Sequence, residues 1–505
     1  MALSLVRRYT ADSPERRPAL GLCLPEFPRH KLDAVRTAPL GLRQKVEARL
    51  TIASAGAGLR DGGLTSAGLV ERALERIQRL NGTLNAFTCV LGAEARRQAA
   101  ALDAEARVGR LRGPLHGIPI AVKDVIHLAG VPTTASSRVL SDLVSAYDAA
   151  SVSRLRAAGA VLLGKTSTHE FALGVTTPQS RNPWDPSRLP GGSSGGSAIA
   201  VATGMSLGAL GTDTRASIRI PSALSGVVGF KPTFGLISTW GVITLSWSMD
   251  HVGPMAATVE DVALLLNTLA GHDPRDPASV DRPPEDFTRY LGRRIGGLTI
   301  AVPAACLSEC HHDVREAFAR AEQRLTDLGA RVIHTEEPPS AELEEANAAG
   351  LVVSRSEAAS FHRELFRERR ALYTRDVFEQ LDEANKVLAV DYVQAQRFRR
   401  EFMERMIHRL EDFDVLAMPT SPVPAPKVEE SEQYLTILSR NCVPWSFIGF
   451  PAISVPCGRT TEGLPIGLQF VGAPYADGLV LALASAFEAA HGQLWADRAM
   501  ASGPA

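Results

Sequence analysis

Apolar positions recur along this chain with two spacings. The first is helical. In LTSAGLVERALERIQRLNGTLNAF, Leu69, Val70, Ala73, Leu74, Ile77 and Leu80 fall on one stripe, which predicts an amphipathic helix with Thr65 or Ser66 as N-cap. SVSRLRAAG, VEDVALLLNTLAG and DVREAFARAEQRLTDLG read as helices in the same way, and the charged stretch from Arg375 to Asp412 reads as a solvated helical layer. The second spacing belongs to short, almost wholly apolar runs: GIPIAV, AVLLG, SLGALG, GVVGF, LTIAV, RVIHT, VLAMP, AISVP and GLQFV. Runs of this length predict strands buried on both faces. Strands alternating with helices predict an α/β layered architecture.

The first 60 or so residues break this rhythm. They carry Pro14, Pro18, Pro25, Pro28 and Pro39, then a short helical stretch around Gln44–Leu50. We read residues 1–63 as a partly helical extension packed on a body of residues 64–505. No period of 20–50 residues marks a repeat protein. The 54 Lys+Arg and 55 Asp+Glu leave a formal charge of −1, which offers no bulk attraction to nucleic acid or to an anionic membrane. With 45% hydrophobic and 22% charged residues the composition is globular, and 505 residues can bury a large core without disulfide or metal staples. Cys23, Cys89, Cys306, Cys310, Cys442 and Cys457 form no CxxC and suit a reducing compartment. No apolar run reaches the roughly 18 residues of a membrane span. The N-terminus lacks the apolar stretch of a secretory signal, and Asp12 and Glu15 oppose a transit peptide. A cytoplasmic location is expected.

Some pattern matches fail on context. Gly159 to Thr166 satisfies G-x-x-x-x-G-K-T, but its variable residues, Ala-Val-Leu-Leu, read as a strand rather than a phosphate-cradling loop. Gly191 to Gly195 contains G-x-S-x-G, yet the preceding RNPWDPSRLP cannot be the strand that a nucleophile elbow requires. That weakens a Ser-His-Asp reading with Asp250 and His251. The Cys306, Cys310, His311, His312 cluster lacks a second ligand pair at a usable spacing and reads as a loop with ordinary thiols. Trp184, Trp240, Trp247 and Trp445 are core or pocket-wall candidates, with core as the default.

The unusual segment is PGGSSGGSAIAVATG, residues 190–204, a glycine-rich turn that runs into a small-residue helix. It is followed by SLGALGTDTRASIRIPSALSGVVGFKPT and preceded by HGIPIAVKDVIHLAGVPTT, which sets Lys123 at the end of an apolar run. A lysine there either snorkels or is buried. If buried, desolvation lowers its pKa and makes the neutral amine available as a base. Serine is a weak nucleophile until such a base takes its proton, and lysine can replace histidine in that role.

Together these segments resemble the amidase signature family. The likeness covers about residues 64–495 and adds MDHVGP with VEDVALLL, then DVLAMPTSPVPAP, FPAISVPCG and GLPIGLQFVG. It implies an amidase-signature-type mixed central sheet covered by helices on both faces, and a Ser-cisSer-Lys triad. By that resemblance Lys123 is the base, Ser193 the bridging serine on a cis peptide, and Ser217 the nucleophile, 24 positions further on. The backbone N–H groups of Thr214, Arg215, Ala216 and Ser217 would stabilise the oxyanion. Ser194, Asp213 and Arg219 would support the site from behind. An acyl-enzyme forms and is hydrolysed, with no metal or organic cofactor. The substrate would be a small-molecule amide, without nucleic acid or membrane, and a homodimer is left open.

The chain departs from the family where Gly-Gly usually precedes the nucleophile: here stand Arg215 and Ala216. Were φ > 0 needed, Arg215 would cost roughly 1–2 kcal/mol. Arg215 either points away, or favours an acidic or strongly polar substrate, or signals lost activity. Besides a free-standing amide hydrolase, the resemblance admits the catalytic A-type subunit of a Glu-tRNA(Gln)/Asp-tRNA(Asn) amidotransferase. The arginine-tyrosine-glycine stretch of that relative is not apparent. SRSEAASFHRELFRERRALYTRDV stands in its place and resembles stand-alone amidases. A degenerate scaffold is the third reading, opposed by the presence of all three triad residues.

Overall fold

The computed structural model describes residues 50–492. Of the expected helix around Gln44–Leu50, all but Leu50 lies outside them. Eleven strands form one sheet: β1 Phe87–Val90, β2 Pro119–Lys123, β3 Val161–Thr166, β4 Gly208–Asp213, β5 Val228–Lys231, β6 His251–Ala256, β7 Thr299–Pro303, β8 Arg331–Thr335, β9 Val415–Pro419, β10 Ala452–Arg459 and β11 Pro465–Val471. Their order is β1-β3-β2-β4-β6-β5-β10-β11-β9-β7-β8. The sheet is mixed. β2 pairs in parallel with β3 and β4, β7 pairs in parallel with β8 and β9, and the strands between run antiparallel.

Successive strand side chains point to opposite faces, and that alternation sorts the core. Ile120, Val122, Leu210, Ile300, Val302, Ile453 and Leu468 join one continuous apolar cluster with residues of the helices Val259–Leu269, His312–Asp327 and Asp477–His491. Their neighbours Ala121, Leu163 and Ala209 face the other way, against the helices Ser66–Leu84 and Gly195–Ala202. Ala301, Leu416 and Met418 meet the helices Ser340–Glu368, Ala389–Arg409 and Val443–Phe447 on that second face. Helices therefore cover both faces, as expected.

All nine apolar runs became strands. The helix Ser66–Leu84 is capped by Thr65, whose hydroxyl accepts from Gly68 N–H at 3.0 Å. The helix Ile52–Arg60 packs Ile52, Ala55 and Leu59 into the large cluster, and Ala53 N–H donates to Asp261 at 2.9 Å. Two strands went unanticipated. β1 is a short edge strand with only Phe87 buried. β6 is wholly buried although it contains Pro254, and β5 pairs with it only at Met255 and Ala256, which leaves room for a residue without an N–H. The Arg375–Asp412 stretch is a correction in part. It holds two helices, Arg375–Ala384 and Ala389–Arg409, and the second buries Arg399, Phe402, Met403 and Met406 instead of being solvated all round. Among the described residues no helix is long and apolar enough to cross a membrane.

Candidate active site

Lys123 ends β2, on the face that Ala121 shares with the helix Gly195–Ala202. Its side chain is fully buried. Nζ lies 2.7 Å from Ser193 Oγ, 2.7 Å from Thr212 Oγ1 and 3.4 Å from Thr212 O. Burial pushes its pKa from 10.5 down to about 7, against the pull of the Asp213 and Asp250 carboxylates, which favour the charged form. Two other lysines among the described residues, Lys165 and Lys231, are equally buried. Lys165 has a carboxylate, Asp124, at 3.1 Å. Lys231 donates to the carbonyls of Phe450 and Pro232 and lies 3.3 Å from His251 Nε2. Lys123 is the one of the three whose partners include hydroxyls of two side chains and no carboxylate, so it alone can hand a proton to or from a serine.

Ser193 follows a cis peptide bond from Gly192. Its carbonyl accepts from Thr177 Oγ1 at 3.1 Å and from His169 N–H at 3.2 Å, which fixes the direction of its side chain. The glycines around it have steric causes. Gly191 has φ 79°, open to few L-residues. A Cβ on Gly196 would lie 2.3 Å from Ala86 O, so the helix Gly195–Ala202 could not sit this close to the Ala86–Ser167 backbone. Ser194 N–H donates to Ser217 O at 3.1 Å, and Ser194 Oγ donates to Thr212 O at 3.2 Å. Ser194 thus ties Ser193, Thr212 and Ser217 together.

The turn from β4 to the helix Arg219–Ser225 is held from beneath by a buried ion pair. Arg219 and Asp213 are both fully buried. Arg219 Nε donates to Asp213 Oδ2 at 3.0 Å and Nη2 to Asp213 Oδ1 at 3.1 Å, the two-pronged geometry of the guanidinium. The same guanidinium reaches Arg215 O at 3.1 Å, Cys442 O at 3.1 Å, Gln469 Oε1 at 2.6 Å and Ser446 Oγ. Burial raises the Asp213 pKa, but Arg219 outweighs it and holds the carboxyl well below the usual carboxylate range. Above this clamp, the backbone N–H groups of Thr214, Arg215, Ala216 and Ser217 make no hydrogen bond among the described residues. Four adjacent free donors are a ready cradle for negative charge. Ser217 is 4% exposed, and its hydroxyl has no hydrogen-bond partner among those residues. Thr214 Oγ1 donates to Asp250 Oδ1 at 2.6 Å. Asp250 is pushed up to about 7 by burial.

Arg215 and Ala216 do not have positive φ, so replacing Gly-Gly puts no backbone penalty on this turn. Ala216 packs with Val175, Ile220, Leu224, Leu438 and Cys442. The structure thus gathers Lys123, Ser193, Ser194, Asp213, Thr214, Arg215, Ala216, Ser217 and Arg219 around one turn. Sequence reasoning passed over Thr212, Asp250 as a partner of Thr214, and Ser446, which donates to Asp213 Oδ1 at 2.9 Å. Thr212 stood inside the quoted GTD block, but nothing in one sequence marks a threonine as a lysine's partner.

The contexts of the rejected patterns are equally plain. Residues 161–166 are fully buried strand. His251 Nδ1 lies 2.7 Å from Met249 O and 3.0 Å from Asp213 O, and neither of its nitrogens bonds a serine. His311 accepts from Asp313 N–H at a helix start, and Cys310 Sγ donates to Cys306 O at 3.5 Å. Of Trp184, Trp240, Trp247 and Trp445, Trp445 is core, whereas Trp247 is 45% exposed.

The family model described as Amidase matches residues 68–481. An amidase from Pseudomonas putida is 40% identical over 427 residues, 82% of this chain and 91% of that protein. The A-type subunit of the glutamyl-tRNA(Gln) amidotransferase of Chloroflexus aurantiacus is 39% identical over 470 residues, 87% of this chain and 96% of that one. The crystal structure of the native peptide amidase from Stenotrophomonas maltophilia superposes with a TM-score of 0.78 at 32% identity, covering 88% of this chain and 97% of the other.

Proposed function

The chain belongs to the amidase signature family, and from that premise we propose that Lys123, Ser193 and Ser217 form its hydrolytic relay. The protein is an enzyme that hydrolyses carboxylic amide C–N bonds. In the proposed mechanism, neutral Lys123 takes the proton of Ser193 while Ser193 takes that of Ser217. Ser217 Oγ attacks the amide carbonyl, and the resulting oxyanion rests on the N–H groups of the 214–217 turn. The proton returns along the relay to the leaving nitrogen, the C–N bond breaks, and ammonia or an amine departs. Water then enters by the same base catalysis, the ester of Ser217 is hydrolysed, and the carboxylic acid leaves. Each donor of such a cradle is worth about 3–4 kcal/mol of transition-state stabilisation. The Ser217 hydroxyl closes on Ser193 when substrate fills the site, as catalytic hydrogen bonds commonly do.

The observation that carries this reading is Lys123 Nζ, fully buried, 2.7 Å from Ser193 Oγ and with no carboxylate in hydrogen-bond reach among the described residues. The test is ammonia release from a panel of aliphatic, aryl and urea-type amides by the purified single chain. Ser217→Ala is expected to lower kcat by at least ~10⁴-fold with an unchanged thermal midpoint. A variant within tenfold of wild type overturns the relay. The second reading, the A-type component of an amidotransferase, is favoured by the 39% identical relative. Activity that requires a partner chain and ATP would select it. The buried free thiols Cys306, Cys310, Cys442 and Cys457 fit a reducing compartment such as the cytoplasm.

A further inference from the structure

Arg215, in the turn before the nucleophile, and Arg355, on a helix that flanks it, have no counter-charge in contact among the described residues. The Arg215 carbonyl is turned inward, onto Arg219 Nη2 and Ser446 Oγ, each at 3.1 Å. Its guanidinium makes no hydrogen bond or ion pair among the described residues, and its Nε is buried without a partner. Arg355, on the helix Ser340–Glu368, shows the same features: a buried, unpartnered Nε and no ion pair. The charge of Arg355 reaches Arg215. Burial, and then the charge of Arg355, push the Arg215 pKa down to about 10. Glu383 is the carboxylate that Arg355 feels, and Glu383 is bound to Lys386 at 2.6 Å.

The helix that carries Arg355 crosses the site: Gly350 and Glu357 pack on its walls, and His362, two turns on along the Arg355 side, lies edge-on to Phe171 with ring centroids 4.3 Å apart, two residues after the His169 whose N–H holds Ser193 O. A Cβ on Gly350 would lie 3.1 Å from Val443, in the short helix whose Ser446 holds the Arg215 carbonyl. Two residues beyond Arg355, Glu357 accepts from Ser246 Oγ at 2.6 Å and Ser248 Oγ at 2.7 Å, and Ser246 N–H donates to the Asp250 that receives Thr214. Glu357, like Asp250, is a carboxylate on this wall that is already occupied. Besides those serines it accepts from Tyr392 OH at 2.8 Å, and it offsets the third arginine, Arg399, which donates to Ser248. Arg215 and Arg355 are left as a pair of like charges, partly desolvated, and Arg215 stands two residues from the nucleophile along the chain. Such a pair is unfavourable by itself and becomes favourable once an anion lies between the two. A carboxylate offers each planar fork two acceptors.

We propose that Arg215 and Arg355 form an anion subsite that selects amides bearing a carboxylate close to the scissile bond, an inference that rests on the amidase reading above. The experiment compares a matched pair, succinamate and butyramide, with the full chain at fixed ionic strength. Wild type is expected to favour succinamate at least 100-fold in kcat/KM. Arg215→Gln and Arg355→Gln are each expected to lower succinamate kcat/KM at least tenfold, chiefly through KM, so that the preference collapses. Arg355→Lys should recover part of it. If Arg215→Gln fails to fold, the Arg355 variants carry the reading. A wild-type preference near or below one, or a preference unchanged in the arginine variants, overturns the subsite while leaving the amidase reading intact. If wild type hydrolyses neither of these two amides, titration calorimetry with succinate reads the subsite by itself. Binding that Arg355→Gln weakens at least tenfold supports it, and no binding to wild type overturns it.

Discussion

The neutral state of Lys123 can be tested through pH. An ordinary lysine, with a pKa of 10.5, would be uncharged in only about three molecules in ten thousand at pH 7, whereas a pKa of about 7 leaves roughly half of them neutral. Burial therefore enriches the base about 10³-fold, a difference of roughly 5 kcal/mol between the two protonation states. The sign follows from the role. The reactive form is the deprotonated one, so kcat/KM should rise about tenfold per pH unit below 7 and level off above it, reporting the free enzyme. The assay is the initial rate of ammonia release from a hydrolysed amide between pH 5 and 10 at constant ionic strength. Asp250 also stands near 7 and must be separated from Lys123. Asp250→Asn keeps an oxygen for the N–H groups of Leu245 and Ser246, at 2.9 and 3.0 Å, and removes a charge that favours protonated Lys123. The acid limb should then move to lower pH. A limb that vanishes in Asp250→Asn would belong to Asp250, and a limb near pH 10 would mean a solvated lysine. Either result refutes a desolvated amine as the base.

Two further substitutions probe the groups that hold the site. Arg219→Gln leaves the Asp213 carboxylate buried and unpaired, which costs about 3–5 kcal/mol. Because the unfolding entropy of the roughly 440 described residues is about 0.9 kcal/mol/K, the thermal midpoint should fall by about 3–5 °C, and kcat should fall about 100-fold as the 214–217 turn loses its anchor. A midpoint within 1 °C of wild type by scanning calorimetry would refute the clamp. Thr212→Val removes the hydroxyl 2.7 Å from Lys123 Nζ at nearly constant volume. A lost hydrogen bond of about 1–3 kcal/mol should lower kcat about 5- to 150-fold in steady-state assays, with the fold retained and the thermal midpoint lowered by no more than about 1–3 °C.

The sheet was legible because most of its strands are buried on both faces and so read as unbroken apolar runs. β6 was not, since Gly253 and Pro254 interrupt HVGPMA with residues of low strand propensity. The 29-residue helix Ser340–Glu368 escaped for a related reason. Its buried face carries Ala346, Ala349, Gly350, Ser354, Glu357 and Ala358, small or polar side chains that give little apolar contrast with the exposed face. That helix brings Arg355 and Glu357 to the site, so the half of the site contributed from beyond residue 340 was invisible. The half from residues 123–219 was visible only through its glycines and its resemblance, because residue types do not distinguish the buried lysines. Lys123, Lys165 and Lys231 all end or nearly end buried strands. What separates them is the neighbour each fold contact supplies: a carboxylate and the Thr133 hydroxyl for Lys165, two carbonyls and the His251 ring for Lys231, and hydroxyls from residues 70 and 89 positions away, one of them a serine, for Lys123. A carboxylate in contact favours the charged amine at Lys165, and Lys231 has no serine hydroxyl beside it among the described residues to take or give a proton. Two hydroxyls leave a desolvated amine free to stay neutral and to exchange a proton, so the chemistry resides in the pairing that tertiary structure imposes.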